Sequence, residues 1–482
     1  MVLGRLILAF VLCVVVSSNV GPTYSVYQTI EQITADGFQP ETHKVTTSDG
    51  YILEVHRIPH GRSGQATSED RPVVFVMHGL MSSSQSLIML GPELSFAYNL
   101  ADAGFDVWMG NARGNKNSRF HTTLNPDDEQ QKYLFFDFSF EEIGTKDLPA
   151  MIDYILEVTK RDKLHYIGHS QGGTVFLVMA SMLPEYNQKL ISAHLLAGVG
   201  YQDYFPNTEL IQTATMTDVI YGAALQMGAV ELFPPGSTEM LPGGLFEWPT
   251  PTNYCLGNVQ LSYMCQLFGI RHIMPLLRNA NAATDQPGAA LKQIAHYGQN
   301  IRDKLFRRFH YGTEENMAKY GTAEPPLYDL SLITTFVTMH YTLSDDLLDE
   351  RDVLAMVADI PKAIARQVAR TSFLHGDFVA AADAKELVTD YIIDAIKNAG
   401  QEDHYTENDG VIVADGSTTV TSSDDDITST PSSTSSAPSA DTTAAPSDTT
   451  EASTTTTPAP GGAATIVINV YLMVLSLYVM LK

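Results

Sequence analysis

The stretch Leu164–Ala180, LHYIGHSQGGTVFLVMA, decides the reading of this chain. Its first part, Leu164-His165-Tyr166-Ile167-Gly168, is a short apolar run that stops at glycine, the pattern of a buried strand. Its last part, Gly172 to Ala180, reads as a helix. Between them Gly168-His169-Ser170-Gln171-Gly172 satisfies G-x-S-x-G, in which a sharp turn from strand to helix exposes a serine oxygen. The flanking positions need glycine because side chains there would collide. Alone the pentapeptide is weak: at ordinary Gly and Ser usage a chain this long meets it by chance roughly one time in six. The strand before it and the helix after it make Ser170 a candidate nucleophile.

Reading outward, Val73-Val74-Phe75-Val76-Met77 is another continuous apolar run, ending in His78-Gly79, and Phe105–Met109 (FDVWM) is a third. Asp147–Lys160 (DLPAMIDYILEVTK) places Met151, Ile152, Ile155 and Val158 on one helical face. Strands alternating with helices predict an α/β fold with a mostly parallel central sheet and helices on both faces. Ala193–Val199 and Thr335–Tyr341 supply later strands. The long stretch between them fits neither strand spacing nor a simple loop, and we read it as an inserted helical cap, residues 201–330. The core then comprises residues 21–200 and 331–400.

A serine hydroxyl needs a base and an orienting carboxylate, and on folds of this kind they follow in the order Ser, Asp, His. Asp345 and Asp346 come shortly after the strand that ends at Tyr341. One could orient the base while the other caps the turn before Leu347-Leu348, and spacing does not separate them. Only His375 and His404 follow. His404 lies at the entry to a polar tail, whereas His375 precedes Gly376-Asp377-Phe378 and a helix-like run from Val379 to Asn398, so His375 is the candidate base. The turn after the first core strand, His78-Gly79-Leu80, can present the Leu80 N–H beside that of Gln171 as a pair of oxyanion donors. His78 and His169 flank the site and read as side chains that hold loops. Neither H-E-x-x-H nor C-x-x-C occurs, so no metal ligand set and no cofactor is expected.

Composition narrows the function. Of 482 residues, 44% are hydrophobic and 17% charged, below the usual quarter, which indicates a globular body plus uncharged low-complexity sequence. Fifty-five acidic against 29 basic residues give a net charge of −26, which repels phosphate backbones, so nucleic acid is not an expected partner. Three cysteines are too few for a disulfide scaffold. Residues 1–20 have the Arg5, apolar run and small-residue layout of a secretory signal peptide. Residues 401–463, rich in Ser, Thr, Pro and Asp, read as a disordered, O-glycosylated stalk. Residues 464–482 end in an apolar run shorter than the roughly 20 residues of a spanning helix and preceded by small residues, the layout of a lipid-anchor signal. A short membrane helix and plain secretion are the alternatives. The chain has no Asn-x-Ser/Thr sequon. The expected location is the secretory pathway and the outer cell surface; the sequence sets no oligomeric state.

Val45–Pro59 (VTTSDGYILEVHRIP), His78-Gly79-Leu80, Leu100–Gly114 (LADAGFDVWMGNARG), Phe138–Tyr154 (FSFEEIGTKDLPAMIDY) and His165–Gly172 together resemble the acid lipases, a family that includes gastric lipase, lysosomal acid lipase and insect lipase 3-like proteins. The similarity runs from about Tyr27 to about Asn398. It implies an α/β-hydrolase fold with a helical cap and a lipase acting on acylglycerols or sterol esters, with neutral lipid at an interface as its partner. By resemblance the nucleophile falls on Ser170 and the oxyanion donors on Leu80 and Gln171. A family segment like Tyr-Gly-x-Asn-Asp-Trp-Leu-x-x-Pro-x-Asp-Val aligns without gaps on Tyr341–Val353 and places the acid on Asp345; the base motif falls on His375-Gly376-Asp377-Phe378. Thr342, Ser344 and Asp346 depart from the family's Gly, Asn and Trp. Cys255 and Cys265 resemble the family's cap disulfide, which an oxidising compartment permits. The competing readings are a carboxylesterase for smaller esters and a non-enzymatic, surface-held lipid-binding or adhesion protein.

Overall fold

Continuous apolar strands make the middle of the sheet and alternating ones its margin, as burial on two faces or on one requires: Val73–Met77 is buried at every position, whereas Glu41–Thr46 is mostly open to water. The computed structural model describes residues 28–63, 71–226, 228–232 and 287–399, with the backbone of 411–413. All of these belong to the unit Met1–Thr419; a second unit, Val420–Lys482, lies outside the described residues. So do the segments read as signal peptide and anchor signal, and both Cys255 and Cys265.

Strands β1 (Glu41–Thr46), β2 (Ile52–Ile58), β3 (Val73–Met77), β4 (Asp106–Met109), β5 (Leu164–His169) and β6 (Leu190–Leu196) are followed by a small pair, β7 (Glu231–Leu232) and β8 (Ala289–Ala290). Then come β9 (Phe336–Tyr341), β10 (Ala363–Gln367) and β11 (Val411–Val413). The sheet runs β1-β2-β4-β3-β5-β6-β9-β10-β11. From β4 to β10 neighbours are parallel, and antiparallel strands β1, β2 and β11 close the two margins. The order reverses at β3, which lies between β4 and β5, so the carboxyl ends of β3 and β5 are where an α/β sheet of this order places its site.

Flanking helices include α1 (Leu148–Thr159), α2 (Gln171–Met182), α5 (Glu350–Asp359) and α6 (Asp390–Lys397), with α3 (Thr217–Gln226) and α4 (Leu291–Asp303) in the inserted stretch. Helix α2 is buried from Gln171 to Ser181, which explains why its sequence is apolar all round. Tyr166 joins it to the sheet: its ring stacks on Phe176 at 5.2 Å and meets Phe75 edge-on at 5.8 Å.

Several local expectations shift. Met151, Ile152 and Ile155 are fully buried, but Val158 is 37% exposed, because it sits in the last turn of α1. The strand expected at Ala193–Val199 lies three residues earlier, at Leu190–Leu196, since Ala197 has a left-handed φ of 47° and ends it. The run Val379–Asn398 is not one helix: a short turn at Asp377–Ala380 leads to a wider π-type turn, Lys385–Thr389, before α6. Val411–Val413, inside the segment read as stalk, instead pairs antiparallel with β10. Its three β-branched residues suit a strand added to an open sheet edge.

Candidate active site

Strand β5 hands directly to helix α2 at Ser170, whose backbone (φ 52°, ψ −116°) occupies a left-handed conformation that costs a non-glycine residue about 1–3 kcal/mol. Neighbouring bonds hold it there. Ser170 N–H donates to the Leu196 carbonyl at 2.8 Å, while the Ser170 carbonyl accepts from Gly173 N–H at 2.8 Å and Thr174 N–H at 3.2 Å. The Tyr166 hydroxyl donates to the Gly172 carbonyl at 2.7 Å. The glycines answer to close packing: a Cβ on Gly172 would lie 2.4 Å from the Met77 carbonyl oxygen, and one on Gly168 would lie 2.5 Å from the Gly172 backbone.

Two loops bring the remaining groups to this serine. His375 Nε2 is 2.8 Å from Ser170 Oγ, and its Nδ1 lies 2.8 and 3.0 Å from the two oxygens of Asp345. Both His375 and Asp345 are buried. Asp345 Oδ1 also accepts from Leu347 N–H at 2.8 Å and Leu348 N–H at 3.1 Å. The orienting carboxylate and the turn-capping carboxylate are therefore one residue, not the two between which the pair Asp345-Asp346 was divided on sequence. The helix that follows starts later, at Glu350, and is capped by Asp349. Across the two loops, Thr342 Oγ1 donates to the Phe373 carbonyl and Ser344 Oγ to the Thr371 carbonyl, each at 2.6 Å. The base loop is tied further by Asp377, which takes Leu374 N–H at 3.0 Å and an ion pair from Arg370. His169 Nε2–H donates to the His375 carbonyl at 2.9 Å. His404 lies outside the described residues.

The third approach is the turn after β3. A Cβ on Gly79 would sit 3.2 Å from Ser170 Cβ, so this glycine lets the Leu80 peptide pass beside the serine. Met81 then turns left-handed, φ 52°, and packs against the apolar cluster of Ala224, Ala229, Leu232 and Leu291. His78 Nδ1–H donates to the Gly79 carbonyl at 2.7 Å, and its Nε2 accepts from Ala112 N–H at 3.1 Å. Among the described residues no hydrogen bond takes the N–H of Leu80 or of Gln171, so both donors are available. The Gln171 side chain is held aside by Gln293 of α4, Nε2 to Oε1 at 2.7 Å. Gln293 was not legible in the sequence, because it lies far along the chain with no local pattern to mark it. Among the described residues no cluster of His, Cys, Asp and Glu could hold a metal.

Known proteins share this plan. Residues 29–91 match the model of a partial alpha/beta-hydrolase lipase region, and residues 72–214 that of the alpha/beta hydrolase fold. Lipase 3 of Drosophila melanogaster is 37% identical over 372 residues, 75% of this chain and 91% of that protein. The chain belongs to the α/β-hydrolase lipases. Lipase 1 of the same fly is 37% identical over 365 residues, 73% of this chain and 75% of its own, and the gastric triacylglycerol lipase of Rattus norvegicus is 31% identical over 371 residues, 75% and 90%. The chain is thus a hydrolase with the fold its sequence predicts.

Burial and charge set the protonation of this lipase's site. Burial opposes charging His375, but the Asp345 carboxylate beside it, with a smaller contribution from Asp346, outweighs this and raises its pKa above the ordinary 6.5. Burial and the neighbouring Asp345 charge push Asp346 up to about 6. His169 and His78 go the other way: burial lowers them to about 3 and about 4, so both stay neutral and act as the loop-holding side chains expected of them.

Proposed function

We propose that this lipase is a serine hydrolase of neutral-lipid esters that works through an acyl-enzyme on Ser170. The reading rests above all on one observation, the continuous chain from Ser170 Oγ through His375 to Asp345, with both links at 2.8 Å. His375 Nε2 takes the Ser170 proton as Oγ attacks the ester carbonyl, and Asp345 keeps the imidazole in the right tautomer and stabilises the imidazolium. The N–H groups of Leu80 and Gln171 receive the oxyanion, each worth about 2.7–4 kcal/mol in the transition state. Collapse expels the alcohol, which takes the proton from His375; water then attacks the acyl-enzyme by the same route and releases the fatty acid. The triacylglycerol named for the gastric relatives supports an acylglycerol as substrate. Ser170→Ala, assayed on emulsified triacylglycerol, should lose about 10³-fold or more of turnover with the fold intact; retained turnover would contradict the assignment.

Secretion fits the likeness to gastric and insect lipases. Within that setting residues 1–20 act as the signal peptide, 401–463 as an O-glycosylated spacer outside its β11 segment, and 464–482 as a cleaved signal for a lipid anchor. Cys255 and Cys265 form a disulfide in the insertion. Release of activity from cells by a phosphatidylinositol-specific phospholipase tests the anchor; a tail that stays with the membrane after that treatment contradicts it. A peptide map without reduction tests the disulfide.

A further inference from the structure

Asp345 and His375 are carried by two separate loops, residues 342–349 after β9 and residues 368–376 after β10. Each loop has ties of its own: the Asp345 carboxylate closes the first on Leu347 and Leu348, and Arg370 with Asp377 closes the second. Such bonds fix the shape of each loop but not the distance between them. Among the described hydrogen bonds from one loop to the other, apart from the Asp345–His375 contact itself, there are two, and both are hydroxyl to carbonyl: Thr342 Oγ1 to Phe373 and Ser344 Oγ to Thr371. Thr342 is buried and Ser344 exposed. The two bonds run in opposite senses along the chains, 342 with 373 and 344 with 371, so they act as adjacent rungs, and Asp345 follows immediately after the second.

We propose that the Thr342 and Ser344 hydroxyls are positioning groups for the reaction: they staple the acid loop to the base loop and so hold Asp345 at hydrogen-bonding distance from His375. Neither touches substrate. They act through the carboxylate, by removing the freedom of one loop to slide past the other. An uncharged staple suits this task, since a charged one would itself perturb the imidazole 2.8 Å from Asp345. The inference rests on the triad reading above.

The test uses the full-length protein and the variants Thr342→Val, Ser344→Ala and their combination. Valine keeps the shape of threonine and loses only the donor. We expect kcat to fall about tenfold for the single changes and up to about a hundredfold for the pair, the scale of a misplaced catalytic group, with KM unchanged. The acid limb of the pH profile should move to lower pH as the imidazole loses its carboxylate, and Thr342→Ser, which restores a hydroxyl, should rescue kcat. In an Asp345→Asn background Thr342→Val should cost nothing more, because the group it positions is gone. Wild-type kcat and an unmoved pH limb in the double variant would overturn the proposal, as would equal losses with and without Asp345, or failure of serine to rescue. Should Thr342→Val not fold, the exposed Ser344→Ala carries the test. Full turnover by Asp345→Asn itself would instead sink the triad reading; its loss alongside fully active staple variants would sink the staple alone.

Discussion

A carboxylate and an imidazole 2.8 Å apart, both nearly out of water, decide the pH at which Ser170 can be activated. The base works only when neutral, and His375 has its pKa raised, so activity belongs above that pKa and is lost as pH falls through it. The profile of kcat/KM should therefore show an acid limb with an apparent pKa above 6.5; full activity at pH 5 would contradict the geometry. Asp346 is the residue that can be changed without touching the triad bonds. Its carboxylate beside Asp345 raises the pKa of His375, so Asp346→Asn should move the acid limb to lower pH. An unchanged limb would mean that the Asp346 charge does not reach the imidazole. At this scale the sequence carried much of the site: the structure brings Ser170, His375 and Asp345 into one hydrogen-bonded chain, as their motifs and order indicated. Spacing alone did not separate Asp345 from Asp346, because adjacent acids differ only in where the loop turns them; the family resemblance chose Asp345. The partners of Thr342 and Ser344 were equally hidden, since Phe373 and Thr371 lie across a fold that no local pattern encodes.

The elbow between β5 and α2 is an element whose sequence is dictated by packing. Gly172 crosses the end of β3 so closely that Gly172→Ala would drive a methyl to 2.4 Å from the Met77 carbonyl oxygen. We expect this change to destabilise the protein by about 1–3 kcal/mol, the usual cost of overpacking, read as a lower denaturant midpoint with an unchanged slope. A midpoint equal to wild type would show that the elbow can relax. Elements whose cause is local were legible: the apolar cores of β3 and β5, and the strand-to-helix handover at a glycine pair. Elements whose cause is tertiary were not. The β6 strand ends early because Ala197 turns left-handed, and the π-type turn Lys385–Thr389 divides what periodicity reads as one helix. Strand β11 depends on the free edge of β10, which the polar sequence around Val411 gives no reason to expect.

Across the whole molecule the buried histidines bear on acid stability. Burial lowers His78 and His165 to about 4 and His169, His194 and His296 to about 3, and holds His340 well below its ordinary value. Each is neutral in the fold but takes a proton near pH 6.5 once unfolded, so their contribution is complete above that pH and is lost as pH falls toward 4. His375, which is raised, and Asp147, Asp346 and Asp352, which burial pushes up to about 6, oppose the trend, since the fold binds their protons first. Glu231, also raised by burial, joins them, and six groups against five leave a net loss. The urea midpoint should therefore fall steadily between pH 6.5 and 4.5, and a flat or rising midpoint would contradict this balance. The account as a whole depends on an activated serine at the head of α2, and active-site labelling tests that most directly. A fluorophosphonate probe offered to the native protein should attach to Ser170, and the label should vanish after denaturation or in His375→Ala. Labelling elsewhere, or labelling of Ser170 that survives loss of the histidine undiminished, would contradict it.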